Sequence, residues 1–240
     1  MLRRITTLSG AVAMFLICAF LPLDAREVSS YFSTSWTSFR DELPSDYILS
    51  MDFDKYGRLW IGTENGMASF DGTVISKYMR GTGAISGNEL NAVLADKFYD
   101  RVWFATKRDG LGFYDLRTGN SVFFRHDKAN PNSPLSDEIT CLRQDDAGNV
   151  WFGTYTEGVG KYNVETGTFT AFCPKNVVGM AEGNVCCIEL APDGKIYAGY
   201  FAEGFMVINP VSMTAEQYIR TGKPGCLPDN GVGCIVIDKD

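Results

Sequence analysis

The sequence has little of what most catalytic and metal sites are built from. It contains a single histidine, His126, in a polar loop, and no C-x-x-C pair with a partner histidine. A lone loop histidine is more often solvated than catalytic, and zinc sites need several Cys or His ligands at close spacing. Nucleophile-elbow, P-loop and dinucleotide-binding motifs are also missing. We therefore predict no catalytic residue, no metal and no cofactor in this chain.

Positive charge is also scarce. The chain has 22 Lys and Arg against 29 Asp and Glu, for a formal net charge of −7. Nucleic acids and anionic lipid surfaces bind proteins through an excess of basic residues, so we expect neither as a partner. The same balance mildly disfavours a polyanionic ligand, unless a local basic patch overrides it.

A long apolar run occurs only at the N-terminus. Arg3 and Arg4 precede an apolar stretch from Leu8 to Leu23, and Ala25 offers a small residue for cleavage. This pattern is typical of a secretory signal peptide over residues 1–25, and it predicts export to the periplasm. The alternative is an uncleaved membrane anchor, although the run is slightly short for a full span.

The middle of the sequence is occupied by a repeat. The stretch "NVWFGT" at 149–154 returns as "RLWIGT" at 58–63, "RVWFAT" at 101–106 and "KIYAGY" at 195–200. The copies lie about 45 residues apart, which is typical of repeat architectures. Because residues two apart in a strand share a face, each large aromatic lies beside a small residue. This favours packing between copies of one sheet, with sugar stacking on the rings as the alternative. The residues concerned are Trp60, Gly62, Trp103, Trp151, Gly153, Tyr197 and Gly199.

Each unit predicts four antiparallel strands, which we name A to D. Strand A is apolar and leads into a tight turn of the type D-x-x-G, and strand B carries the aromatic motif. Strand C follows a glycine and ends in an Asp or Asn that predicts an Asx turn. The second unit departs at "DKFYD" (96–100), which is one residue longer and lacks the glycine. Four such strands in about 45 residues describe a β-propeller blade.

We therefore predict an all-β chain of about four four-stranded blades and a partial fifth, forming an open arc of a larger ring. Residues 26–42 form an N-terminal segment, in which Tyr31–Phe39 is expected to be a ring-closing strand. The units are placed at residues 43–80, 85–126, 135–173, 180–220 and, for the partial one, 227–240, in which Val232–Asp238 is expected to be strand A.

The consensus of the units resembles a known family. "LPSDYILSMDFDKYGRLWIGTENGMASFDG", residues 43–72, is similar to the two-component regulator propeller repeat. The resemblance implies a periplasmic sensor of a Bacteroidota hybrid two-component system that responds to oligosaccharides. It also implies partners outside this chain: further blades, an Ig-like domain, a membrane span, a histidine kinase core and usually a receiver with a DNA-binding domain. A homodimer is a further possibility. The fourth unit departs from the family pattern, because Tyr197 replaces Trp and Tyr200 replaces Thr.

Ligand binding is expected in the loops between strands B and C, which differ between units while the frame repeats. The candidates combine aromatic, basic and acidic side chains: Lys107, Arg108, Tyr155, Glu157, Phe201 and Glu203. Two other classes of function stay open. One is a propeller enzyme of the lyase or lactonase type whose metal site lies in other blades, and the other is a structural adaptor.

Two predictions concern the strands that line the central channel. Cys141 and Cys187 occupy one strand-A position in consecutive units, about 10 Å apart, which is too far for a disulfide. The charged residues Asp52, Arg143 and Glu189 share another position there. They form either a polar channel mouth or, as we prefer, a solvated pair between blades.

Overall fold

The computed structural model describes residues 42–238. The predicted signal peptide and the ring-closing segment Tyr31–Phe39 lie outside the described residues. Sixteen β-strands and one short 3₁₀ turn, Arg80–Thr82, make up the regular structure of the described part. None of its helical segments has the length and apolar character needed to cross a membrane.

The strands form four separate four-stranded antiparallel sheets, each made from consecutive strands in the order A-B-C-D. We call them blades 1 to 4. Blade 1 comprises β1 Ile48–Phe53, β2 Leu59–Thr63, β3 Gly66–Phe70 and β4 Ile75–Tyr78. Blade 2 comprises β5 Leu90–Ala95, β6 Arg101–Thr106, β7 Leu111–Asp115 and β8 Ser121–Phe124. Blade 3 comprises β9 Ile139–Gln144, β10 Val150–Thr154, β11 Val159–Asn163 and β12 Thr168–Phe172. Blade 4 comprises β13 Val185–Leu190, β14 Ile196–Tyr200, β15 Phe205–Asn209 and β16 Thr214–Tyr218.

Local chemistry explains where the strands turn. In blade 1 the Asp54 carboxylate accepts the backbone N–H groups of Tyr56 and Arg58, and Gly57 takes φ = 79°, which a side chain would resist. At the other strand junction, the Asp or Asn that ends strand C accepts backbone N–H groups of the following turn, as Asp115 does from Arg117 and Thr118. The predicted Asx turns are therefore confirmed.

The core lies between blades, as the repeat predicts. Trp60 packs with residues of blade 2, Trp103 with residues of blade 3 and Trp151 with residues of blade 4. Trp60 and Trp103 are fully buried and Trp151 is 5% exposed. The packing interpretation of these tryptophans is the one that the geometry supports.

The small residue of the motif makes room for the next blade. A Cβ added at Gly153 would approach Val185 Cγ1 to 2.8 Å, and one at Gly199 would approach Val232 Cγ1 to 2.8 Å. The space beside each aromatic is thus filled by an aliphatic residue of the following strand A. Replacement of either glycine by alanine would force the neighbouring strand A to move.

The partial fifth unit lies against blade 4 without joining a sheet. No strand is assigned over residues 232–238, although the predicted strand A occupies them. Val232 N–H donates to Tyr200 O at 2.8 Å, and Val232, Ile235 and Ile237 are half-buried while Val236 is 83% exposed. The segment therefore has the register of a strand A, but in the described residues it has no strand B to pair with.

Candidate functional site

Each of the first three blades is locked by one carboxylate, which is buried in blades 1 and 2 and partly exposed in blade 3. Asp54, Asp96 and Asp145 directly follow strand A, and each accepts the indole N–H of its blade's tryptophan, at 3.0, 2.9 and 2.9 Å respectively. Burial opposes ionisation of Asp96, but hydrogen bonds from Gln144, Arg101 and Trp103 outweigh it and hold its pKa below the usual value. The carboxylates are thus committed to structure.

Blade 4 lacks this lock. Ala191 stands where the other blades have Asp, and Tyr197 stands where they have Trp. Tyr197 is half-buried and its ring lies 6.4 Å from that of Phe205, nearly parallel to it. In the sequence, the Asp acceptor and the Trp donor are replaced in the same unit. This joint loss was a signal from which the Asp–indole hydrogen bond could have been predicted.

The B–C loops and the D–A connections lie at one end of each sheet, which we call the loop end. The A–B and C–D turns lie at the opposite end, the turn end. The first residue of each B–C loop donates its backbone N–H to the carbonyl just before strand A of the same blade. The pairs are Glu64 to Tyr47, Lys107 to Glu89, Tyr155 to Glu138 and Phe201 to Asn184, at 2.9–3.1 Å. These four positions are therefore equivalent and firmly held.

The candidate ligand-binding residues occupy the loop end of blades 2 to 4. Tyr155 is 54% exposed and Phe201 is 71% exposed, at the equivalent position of neighbouring blades. Lys107 forms a long ion pair with Glu89, 3.6 Å between Nζ and Oε2. The side chains of Tyr155, Phe201 and Lys107 are therefore accessible to a ligand from solvent.

The remaining candidates differ in how they are held. Arg108 is exposed, and its carbonyl accepts Arg125 Nη2 at 3.0 Å. Glu157 is exposed and anchored by its backbone N–H to Thr154 Oγ1, whereas Glu203 is half-buried. The six candidates thus share the loop end, but they come from three blades.

The junction of blades 3 and 4 holds two polar atoms that the repeat does not explain. Tyr200 replaces the threonine whose hydroxyl caps the B–C loop in the other blades, for example Thr154 to Gly158 O at 2.8 Å. Tyr200 is fully buried, and neither its hydroxyl nor Asn184 Oδ1 has a hydrogen-bond partner in the described residues. Burial raises the pKa of Tyr200, so its phenol is neutral.

A channel of about 730 Å³ is lined mainly by strands A and A–B turns of all four blades. Arg143 Nε lies 3.2 Å from Glu189 Oε2, which matches the predicted pair between blades. Asp52 instead accepts the backbone N–H of Ala95 at 2.9 Å. Within residues 42–238 no cluster of three or more His, Cys, Asp or Glu is arranged to hold a metal.

The channel cysteines are unbonded. Cys141 and Cys187 are both free, as the register predicts. Burial raises the pKa of Cys141 to about 12, so its thiol is protonated at neutral pH and behaves as a small apolar side chain.

The turn end of blade 2 contains a feature that the sequence analysis did not single out as a site. Its longer A–B turn places Phe98 and Tyr99 at the surface, 50% and 49% exposed, beside a cleft of about 350 Å³. The extra residue and the missing glycine in "DKFYD" were the signal that could have found it.

Four-stranded antiparallel sheets that pack face to face in chain order define a β-propeller, and comparisons with known proteins agree. The two component regulator propeller family model matches residues 42–65 and 133–156. Two segments of the chain therefore match the two component regulator propeller repeat, which confirms the resemblance noted in the sequence. A search of the curated proteins finds no match.

Solved structures of similar fold include extracellular domains of B. thetaiotaomicron proteins and an enzyme. The extracellular domain of BT3049 from B. thetaiotaomicron, described as a hybrid two component system, is 28% identical with a TM-score of 0.73, covering 81% of this chain and 26% of that one. The extracellular domain of BT4673 from the same organism is 17% identical with a TM-score of 0.67, covering 87% and 26%. Virginiamycin B lyase from Staphylococcus aureus is 11% identical with a TM-score of 0.54, covering 72% and 55%, and shows the fold alone. The chain spans about a quarter of the length of these two extracellular domains.

Proposed function

We propose that this chain is part of the periplasmic ligand-sensing propeller of a hybrid two-component system. The observation that carries the proposal is the similarity to the BT3049 extracellular domain over 81% of the chain, together with the matching repeats. The histidine kinase and DNA-binding parts would lie in other segments of the full-length protein. Export by the N-terminal signal peptide belongs to the same proposal.

The proposed ligand is an oligosaccharide bound at the loop end. Support comes from the two exposed rings, Tyr155 and Phe201, which occupy equivalent positions on packed sheets about 10 Å apart. Aromatic faces with a few nearby polar groups are typical of small-molecule sites. Glu157 and Glu203 add acceptors for sugar hydroxyls, and Lys107 and Arg108 add donors on blade 2.

Calorimetric titration tests this site. The probes are four neutral tetrasaccharides built from glucose, xylose, mannose and arabinose. We expect at least one to bind, and the double variant Tyr155→Ala/Phe201→Ala to weaken that binding at least about tenfold. The matched control is Phe123→Ala, an exposed ring on outer strand β8 that is 43% exposed. Equal binding by the double variant would contradict the assignment of the loop end.

A further inference from the structure

Strand A has the same irregularity in all four blades. Its pairing with strand B slips by one residue, which leaves one residue of strand A unpaired: Leu49, Asn91, Thr140 and Cys186 in blades 1 to 4. Such a residue forms a β-bulge, which changes the direction of a side chain. All four bulges lie where strand A lines the central channel. The bulge therefore decides which side chains lie together at the channel wall.

Blade 3 shows that the bulge places two consecutive side chains next to each other. Thr140 Oγ1 lies 3.8 Å from Cys141 Sγ. A Cβ added at Gly153 would lie 3.0 Å from the first of these atoms and 2.7 Å from the second. Both side chains thus converge on one glycine of strand B, whereas consecutive side chains of a regular strand point to opposite faces.

Blade 4 has a cysteine at both of these positions. Cys186 stands where blade 3 has Thr140, and Cys187 stands where it has Cys141. A Cβ added at Gly199 would lie 2.6 Å from Cys187 Sγ, which is the placement that Cys141 has in blade 3. Both thiols are free and line the channel, with Cys187 buried and Cys186 half-buried. A Cys186 Sγ in the position of Thr140 Oγ1 would lie next to Cys187 Sγ.

Cys186 does not hold two blades together, unlike the bulge residues of blades 2 and 3. The amide of Asn91 and the hydroxyl of Thr140 each donate a hydrogen bond to a backbone carbonyl at the start of the following strand A. Cys186 Sγ lies instead 3.8 Å from Asn184 O of its own blade, and a thiol is only a weak donor. Its sulfur is therefore available to another partner in the channel.

The number and the chemistry of the thiols restrict the partner. Burial raises the pKa of both Cys186 and Cys187, so both thiols are protonated until a coordinating metal ion displaces the protons. Within residues 42–238 no group of three His, Cys, Asp or Glu is arranged to hold a metal. Zinc takes four ligands and is therefore disfavoured, whereas soft thiolates select Cu(I), which accepts two.

We propose that Cys186 and Cys187 form a two-coordinate site for a soft monovalent cation of the Cu(I) class. Each thiol forms one sulfur–metal bond and releases its proton to solvent, and the oxidation state of the ion does not change. Metal–thiolate bonds are about 2.3 Å long, so two neighbouring sulfur atoms can share one ion. The ion would enter through the channel, whose volume is about 730 Å³. This site does not depend on the ligand proposed for the loop end.

The test uses Cu(I) itself as the probe. It is added without oxygen to the reduced full chain, in competition with a coloured Cu(I) chelator such as bathocuproine disulfonate. We expect the chain to withdraw one equivalent of Cu(I) from the chelator, which the loss of colour measures. A chain that withdraws none would overturn the proposal.

Two variants assign the binding to this pair. Cys186→Thr and Cys187→Ala introduce the residues that blades 3 and 2 have at the same positions, Thr140 and Ala92, so the fold should be kept. Each should weaken Cu(I) binding at least about a hundredfold, because a lost ligand costs more than a lost outer partner. Cys234→Ser is the matched control, since Cys234 is an exposed thiol of the same channel, and it should bind normally. Binding that survives Cys186→Thr, or that Cys234→Ser abolishes, would contradict a site made by these two thiols.

A second measurement needs no variant. One equivalent of Cu(I) should protect Cys186 of the unmodified chain from iodoacetamide, while Cys226 stays reactive. Mass spectrometry of the digested protein gives the labelled fraction of each thiol. Equal labelling of Cys186 with and without the ion would show that its sulfur is not a ligand.

Discussion

Blades 1 to 3 and blade 4 have the same four strands but are held together differently. In the first three, an Asp at the end of strand A accepts the indole N–H of the tryptophan in strand B. In blade 4 both partners are replaced, by Ala191 and Tyr197, and the sheet keeps its register without them. The comparison shows that the strand pattern alone is enough to form a blade, and we expect the lock to add stability to the three blades that have it.

The largest expected effect concerns the covered ring. Trp151→Ala removes a side chain that is 5% exposed and packs against blade 4, so it should lower the free energy of unfolding by about 3–5 kcal/mol. Tyr197→Ala, at the equivalent half-buried position, should cost less than half as much. Chemical denaturation measures both. Unchanged stability of Trp151→Ala with loss of sugar binding would instead make this ring a stacking platform.

A second prediction concerns the carboxylate of the lock. Asp96→Asn weakens its hydrogen bonds with Arg101, Gln144 and Trp103 and should lower the free energy of unfolding by about 1–3 kcal/mol at pH 7. The folded pKa of Asp96 is depressed, so its contribution is present above the unfolded pKa of about 3.9 and is lost as pH falls through the folded value. Denaturation at a series of pH values should show the gap between the two proteins shrinking below about pH 4. A gap that is constant down to pH 2 would contradict the role of the ionised carboxylate.

A third prediction transfers the lock to blade 4. Ala191→Asp and Tyr197→Trp together should be more stable than the sum of the single changes, with a coupling of about 1 kcal/mol. The single change Ala191→Asp places a carboxylate without its indole donor and should be neutral or slightly destabilising. A double-mutant cycle in urea measures the coupling, and a coupling of zero would mean that blade 4 cannot adopt the geometry of the other blades.

The smallest effect concerns reactivity and leaves stability unchanged. The pKa of Cys226 is lowered by hydrogen bonds, first from the backbone N–H of Thr221, whereas burial raises that of Cys141. Iodoacetamide at pH 7.5 should therefore label Cys226 at least about a hundredfold faster than Cys141. Equal labelling would show that the joint between blades 3 and 4 opens freely. Mass spectrometry of the digested protein identifies the labelled thiol.

Much of the fold could be predicted because the same strand and turn pattern occurs four times in the sequence. Strand order, the Asx turns and the inter-blade packing of Trp60, Trp103 and Trp151 all follow from local rules of period and turn chemistry. No strand forms at residues 232–238, although the repeat predicts one there. The repeat describes only the side-chain pattern of a strand, whereas a strand also needs a hydrogen-bonded neighbour. The indole hydrogen bonds were missed because Asp54, Asp96 and Asp145 already had a sufficient role in their turns.

The sites were less predictable than the frame. Equivalence of Tyr155 and Phe201 follows from the alignment of the repeats, but their exposure required the structure. The cleft of blade 2 depends on one additional residue in a turn and on the burial of Arg101 beneath Tyr99, which is a three-dimensional effect. Its chemistry therefore remained hidden in a segment that the sequence marked only as irregular.

The close packing of the strand-B glycine against strand A of the following blade constrains the evolution of the sequence. A methyl group gained at Gly153 would lie 2.7 Å from Cys141 Sγ and 2.8 Å from Val185 Cγ1, so smaller side chains at both positions are needed to accommodate it. Because each joint is made from residues of two successive units, a whole unit can be duplicated or deleted with both of its contact surfaces intact. Single substitutions at a joint are harder to accommodate than the insertion of an entire blade. The composition of each joint is thus constrained by the unit that follows it.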